Sequence, residues 1–129
     1  MFKTKFSMQI HRQKNRHTHS DLRILNEDKT TLWSWALPKI NFPGRGKKVL
    51  AIRTANHLVS YMYFQGTLKN GDKVTLFDRG DCKVLIETHN LIIIYFRGKK
   101  IKGAYNLIRM HNSKKDDSWI ISKSRKSEG

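Results

Sequence analysis

Between His11 and Arg23 the chain reads HRQKNRHTHSDLR, which holds His11, His17 and His19 followed by one acid, Asp21, and an arginine. In a strand over Ser20 to Asn26, side chains alternate between two faces with a period of two. His19, Asp21 and Arg23 then share one face, while Leu22 and Ile24 point into a core. Same-face neighbours stand roughly 7 Å apart along a strand, so an imidazole and a carboxylate can converge on one ion. His11, on the preceding segment, can supply a third ligand. Two histidines and a carboxylate leave positions open for water and substrate, which a catalytic metal needs and a structural one lacks. Arg23 adds a fork of donors matched to a phosphate. The plainer alternative is a solvated basic arm leading into an ordinary strand, and the rest of the chain decides between them.

Strands are what must position these groups. Lys5 to Ile10 alternates, with Phe6, Met8 and Ile10 on one face, and delivers the chain to His11. Arg12 to Thr18 has no periodicity and reads as a loop. After a turn at Asn26 to Lys29, Thr31 to Leu37 places Trp33, Trp35 and Leu37 on one face, and Pro38 ends that strand. Lys39 to Lys48 is a loop with Pro43-Gly44, Gly46 and several cations, without the spacing of a P-loop. Val49 to Thr54 and Ser60 to Gln65 read as strands, with His57 in the connection. Asn70-Gly71 is a hairpin signal of type I′, followed by a strand over Lys73 to Asp78. Arg79-Gly80-Asp81 reads as a turn before another strand at Cys82 to Glu87. Leu91 to Phe96 is a short apolar run expected as a central strand buried on both faces. Arg97-Gly98-Lys99 turns the chain, and Ala104 to Met110 and Ser118 to Lys123 complete the set. His89, His111 and Asp116-Asp117 are expected on solvent-facing turns, and the tail from Ser124 to Gly129 is expected to be mobile.

Short strands about ten residues apart, with no amphipathic helix, imply a mainly β chain with little helix. The expected fold is a compact antiparallel β-barrel or sandwich. A chain of 129 residues fits one domain, with its core over about residues 5–124. Its 26 Lys and Arg against 10 Asp and Glu give a net charge of +16, spread along the sequence. That surplus argues for a polyanion partner, most simply nucleic acid, with an acidic membrane the weaker option. The one cysteine, Cys82, excludes an internal disulfide and sits in an apolar alternation expected in the core. No apolar run approaches the roughly 20 residues of a membrane span, and the N-terminus lacks a signal-peptide apolar region. A soluble, cytoplasmic monomer with no membrane partner is expected. The rival to an enzyme is a non-catalytic basic barrel that binds single-stranded nucleic acid, with Trp33, Trp35, Tyr61 and Tyr63 stacking on bases.

The ordered pieces FSMQIH, HSDLRIL and LWSWALPK resemble the 3′-phosphoesterase domain of bacterial and archaeal DNA ligase D and its stand-alone relatives. That family carries Gln-x-His, His-x-Asp-x-Arg and Ser-Trp-Ala-x-Pro-Lys. They correspond here to Gln9-Ile10-His11, His19-Ser20-Asp21-Leu22-Arg23 and Ser34-Trp35-Ala36-Leu37-Pro38-Lys39. AIRTANHLVSYMYFQG resembles the family segment with a phosphate-site histidine and a tyrosine four residues on, here His57 and Tyr61. LFDRG, IKGAYNLIRM and SWIISK resemble its last strands, so the likeness runs from about Phe6 to Lys123.

The resemblance implies a small β-barrel that holds a divalent metal, typically Mn²⁺, with Zn²⁺ or Co²⁺ as other candidates. It implies resection of 3′ ends of DNA or of RNA/DNA primer-templates during break repair by end joining. A phosphodiesterase step removes a terminal ribonucleoside and a phosphomonoesterase step the remaining 3′-phosphate. A DNA ligase and a polymerase would be partners, with the protein at DNA breaks in the nucleoid. On this assignment His11, His19 and Asp21 hold the metal, Arg23 grips the phosphate, and Lys39 adds charge. His57 clamps the transition state or protonates the leaving oxygen, while Gln9 and Tyr61 position the phosphate or a ribose. The sequence departs from the family in three places. His11 precedes His19 by eight residues where the family has six, which fits a two-residue loop insertion, and His17 keeps the six-residue spacing instead. Ala55 and Asn56 stand where the family has two acids. The glycine-rich hairpin after Gln65-Gly66 is shortened to Leu68-Lys69-Asn70-Gly71.

Overall fold

The apolar alternation around Phe6, Met8 and Ile10 belongs to a strand that outruns it at both ends: β1 spans Phe2–Arg12. β2 is Thr18–Leu25, β3 Leu32–Leu37 and β4 Lys48–His57. A two-residue β5, Gly66–Thr67, precedes the 15-residue β6, Lys73–Glu87. Then come β7 Leu91–Gly98, β8 Lys102–Arg109 and β9 Asp117–Lys123. The computed structural model describes residues 1–14, 17–111 and 117–125. The strands pair antiparallel in the order β1-β2-β3-β4-β9-β8-β7-β6, and β6 returns to β1, so eight strands close a barrel. Closure removes every long sheet edge. β5 pairs only with the first residues of β6.

Inward positions make one core. Phe6 meets Phe96 edge to face at 4.9 Å, and Trp35 meets Trp119 the same way at 5.8 Å, all four buried. Each such side chain contributes about 2 kcal/mol or more by leaving water. Cys82 is in this core as expected, and burial pushes its thiol up to about 12. Trp35 is fully buried, so it offers no stacking platform, and Trp33 is half-buried with Phe2 against it. Phe42, from the basic loop after β3, packs edge to face on Phe96 and Tyr105 and pins that loop to the core.

Four expectations need correction. Ser60 to Gln65 is no strand: Val59–Tyr61 is a 3₁₀ turn, continued by local bonds from Met62 N to Val59 O and from Phe64 N to Tyr61 O. Its aromatic alternation imitates a strand, but the barrel strands beneath it already have partners on both sides. Met62 instead tucks against Leu25 and Leu32 on the outer face. Arg79-Gly80-Asp81 is no turn but the middle of β6. Gly80 is there because a Cβ would lie 2.5 Å from the Arg97 carbonyl oxygen of β7, a matter of close strand approach rather than chain reversal. The Asn70-Gly71 hairpin exists, but only Gly71 has a positive φ, 93°, so the connection is not type I′. It is a loop from Leu68 to Asp72, closed by Leu68 N to Asp72 O at 2.8 Å. Asp117 lies in β9 opposite Arg53 and accepts hydrogen bonds from Arg109 Nε and Trp119 Nε1, each at 2.9 Å. Asp116 and the tail beyond Arg125 lie outside the described residues.

Candidate metal and phosphate site

β1 and β2 are neighbours, and their register sets His11 directly opposite His19 and Gln9 opposite Asp21. Side chains of paired residues emerge on the same face, so the period-two argument for His19, Asp21 and Arg23 gathers His11 and Gln9 as well. Leu22 and Ile24 point the other way, into the core. On the outer face, one ligand atom each from His11, His19 and Asp21 fall within 4.8 Å of one another. The two imidazoles lie 4.8 Å apart between centroids. His19 Nε2 is 3.3 Å and His11 Nδ1 3.8 Å from the Asp21 carboxylate. That contact with Asp21 raises the His19 pKa.

This set can hold a divalent metal. Its donors are two imidazoles and one carboxylate, it is partly buried, and one ring nitrogen of His11 has a partner outside the cluster. His11 Nε2 is 2.8 Å from Asp72 Oδ2, which directs Nδ1 toward Asp21. Asp72, in the β5–β6 hairpin, gives no local signal of this role, because an Asp after Asn-Gly reads as turn chemistry alone. His17, the alternative at six-residue spacing, is exposed and outside the cluster.

Arg23 stands beside the cluster, 96% buried, with one terminal nitrogen 3.8 Å from Asp21. Its Nε donates to Gln9 Oε1 at 3.0 Å and its Nη1 to His57 Nδ1 at 3.3 Å, while its Cζ lies 5.2 Å from the centre of the Tyr61 ring. Burial lowers the Arg23 pKa, opposed by the charge of Asp21. Gln9 is fully buried and donates its amide to the carbonyls of Tyr61 and Phe64, both at 3.1 Å. One side chain thus ties Arg23 to the 3₁₀ segment.

His57 reaches this face through a bulge. β4 continues past the expected end at Thr54, and between Ser34↔Thr54 and Leu32↔His57 it carries one more residue than β3. Desolvation, and then the Arg23 charge, lower the His57 pKa. The ring stacks on Tyr61 at 5.8 Å, and burial raises the Tyr61 hydroxyl. Lys39 is anchored nearby through its backbone, with Ser20 donating to its carbonyl at 2.7 Å, but its side chain is exposed and outside the cluster. Beside His19 an open cleft of about 400 Å³ is lined by Ala36, Leu37, Pro38 and Ile52.

Comparison with known proteins gives the chain a family. Residues 9–109 match the family model described as the DNA ligase D 3′-phosphoesterase domain. The chain is 33% identical over 114 residues to the multifunctional non-homologous end joining DNA repair protein LigD of Mycobacterium tuberculosis, covering 81% of this chain and 14% of that protein. It is 30% identical over 120 residues to the corresponding LigD of Pseudomonas aeruginosa, covering 85% of this chain and 14% of the relative. The chain therefore spans only about one-seventh of the length of these relatives. The matched segment contains every residue of the cluster, from Gln9 through Asp72, and on this evidence the chain belongs to the DNA ligase D 3′-phosphoesterase domain family.

Proposed function

We propose that this protein is a metal-dependent phosphoesterase that trims the 3′ ends of nucleic acid during break repair by end joining. The observation that carries this is the convergence of His11, His19 and Asp21 next to the Arg23–His57 pair. A metal bound by the three ligands would polarise the phosphorus and screen charge on a phosphate oxygen. Arg23, already oriented by Gln9, donates to the same phosphate and stabilises the charge that builds in the transition state.

His57 fits the role of a donor. The Arg23 guanidinium occupies Nδ1, so the neutral imidazole carries its proton on Nε2. Its lowered pKa keeps that neutral form dominant near pH 7, which favours clamping the phosphate over protonating a leaving oxygen. Gln9 acts through Arg23, and Tyr61 covers Arg23 and stacks on His57. Lys39 adds charge from the rim. The apolar cleft beside His19 gives room for the sugar or base of the terminal nucleotide. Arg45, Lys47, Lys123 and Arg125 line a second cleft of about 660 Å³ with no acid among its lining residues, which suits a polyanion. Mn²⁺ is the first candidate metal, with Zn²⁺ and Co²⁺ as alternatives, and a ligase and polymerase of end joining are the proposed partners.

The test is incubation with a primer-template ending in a 3′-phosphate or a 3′-ribonucleoside, with and without Mn²⁺, Zn²⁺ or Co²⁺. The expected result is metal-dependent release of the phosphate or nucleoside. Salt-dependent binding without turnover in any metal would overturn the proposal in favour of a nucleic-acid-binding barrel.

A further inference from the structure

Asp72 touches more of the site than a turn residue needs to. Its Oδ2 lies 2.8 Å from His11 Nε2 and 3.2 Å from Asn70 Nδ2, while its Oδ1 accepts the backbone N–H of Lys14 at 3.0 Å. Asn70 Oδ1 in turn accepts the Asp72 N–H at 2.9 Å. Asp72 is 92% buried. Gly71, with φ 93°, is held against the Lys14 side chain, where a Cβ would lie 2.9 Å from its Cδ. The hairpin from Leu68 to Asp72 is thus fastened to Lys14, just after β1.

We infer that Asp72 is a positioning residue for the cation site: it fixes the tautomer and the ring angle of His11 so that Nδ1 is the ligand atom, and it anchors the backbone at Lys14 just after β1. The inference rests on the metal reading of the cluster. An imidazole that donates its far N–H to a carboxylate presents its other nitrogen as a lone pair, and such outer partners typically set metal affinity by roughly 10–100-fold. Without Asp72 the His11 ring can rotate, and neither its tautomer nor its distance to Asp21 is held. The same carboxylate accepts a backbone N–H across the loop, so binding of the cation and order in the 68–72 hairpin are coupled.

Mn²⁺ titration of the metal-free protein, followed by the paramagnetic signal of free Mn²⁺ or by calorimetry, tests this without reference to turnover. Asp72→Ala is expected to weaken Mn²⁺ binding by roughly 10–100-fold. Asp72→Asn, whose amide oxygen can still accept from Nε2, is expected to lose less than tenfold. Asn70→Ala removes the two Asn70 side-chain bonds to Asp72 but keeps the contact to His11, and is expected to bind as the wild type does. Wild-type affinity in Asp72→Ala would overturn the inference, as would an equal loss in Asn70→Ala, because hairpin order would then be the cause. A wild-type protein that binds none of Mn²⁺, Zn²⁺ or Co²⁺ would overturn the metal reading itself, and this inference with it.

Discussion

Two buried carboxylates, Asp78 and Asp21, sit on the two strands that flank β1 and have opposite surroundings. Asp78 lies in β6 just past the irregularity where Phe77 has no partner on β1. It accepts backbone N–H bonds from Arg79, Lys99, Lys100 and Ile101 at 2.7 to 3.0 Å, tying the β7–β8 turn to β6. Asp21 accepts no backbone N–H among the described residues. Its neighbours are two imidazoles and a guanidinium at 3.3 to 3.8 Å. A carboxylate saturated by amides is a structural part, and the fold consumes its acceptor capacity. One facing only side chains, two of them imidazoles, keeps that capacity for a cation. The difference is invisible in composition, since both are buried aspartates within strands.

The sharpest way to break this comparison is to exchange the consequences of losing each acid. Asp21→Asn, or His19→Ala, should drop metal-dependent turnover to background, measured on a 3′-phosphorylated primer-template, while thermal unfolding still shows a cooperative barrel. Asp78→Ala should do the reverse. It strands four amides and should cost about 2–4 kcal/mol in chemical denaturation, with turnover per folded molecule unchanged. Full activity in Asp21→Asn, or no stability loss in Asp78→Ala, would erase the distinction.

A smaller effect separates positioning from contact within the site. Gln9→Ala frees the Arg23 Nε and two carbonyls of the 3₁₀ segment, and should cost turnover roughly tenfold, about 1.4 kcal/mol, with metal affinity unchanged in titration. The smallest effects are those of pH. Burial pushes the Asp78 carboxyl up, but its backbone donors more than reverse this, so its pKa in the fold is below the ordinary 3.8. The unfolded chain then binds that proton more readily. The stabilisation is therefore present above about pH 3.8 and lost as pH falls through the folded value, and Asp78→Asn should flatten that limb of an acid-unfolding curve. For His57, a neutral Nε2–H donor predicts turnover that holds from about pH 7 to 9. A protonating role would instead give a tenfold decline per pH unit above its lowered pKa.

Much of this was legible in the sequence, where the period of two is strong. That period alone puts His19, Asp21 and Arg23 on one face and Leu22 and Ile24 on the other, and β2 obeys it. It fails where a glycine serves packing instead of turning, as at Gly80, and where aromatics alternate without a free strand to pair with, as at Tyr61 and Tyr63. Asp72 and the support role of Gln9 were out of reach, because both follow from contacts across 61 and 52 positions of chain. No local pattern encodes such distances.

The extra residue in β4 makes the direction of His57 a matter of parity. In an even strand, a residue three places after Thr54 would face the opposite side, into the apolar interior. Here Ala55 and Asn56 together fill the place opposite Trp33, and His57 emerges beside Arg23 instead. Shortening the chain by one residue at this point would set the imidazole two places after Thr54 in an even strand and still leave it outside. The protein should therefore tolerate a deletion that removes the bulge, which a library of single-codon deletions across residues 54–57 would expose.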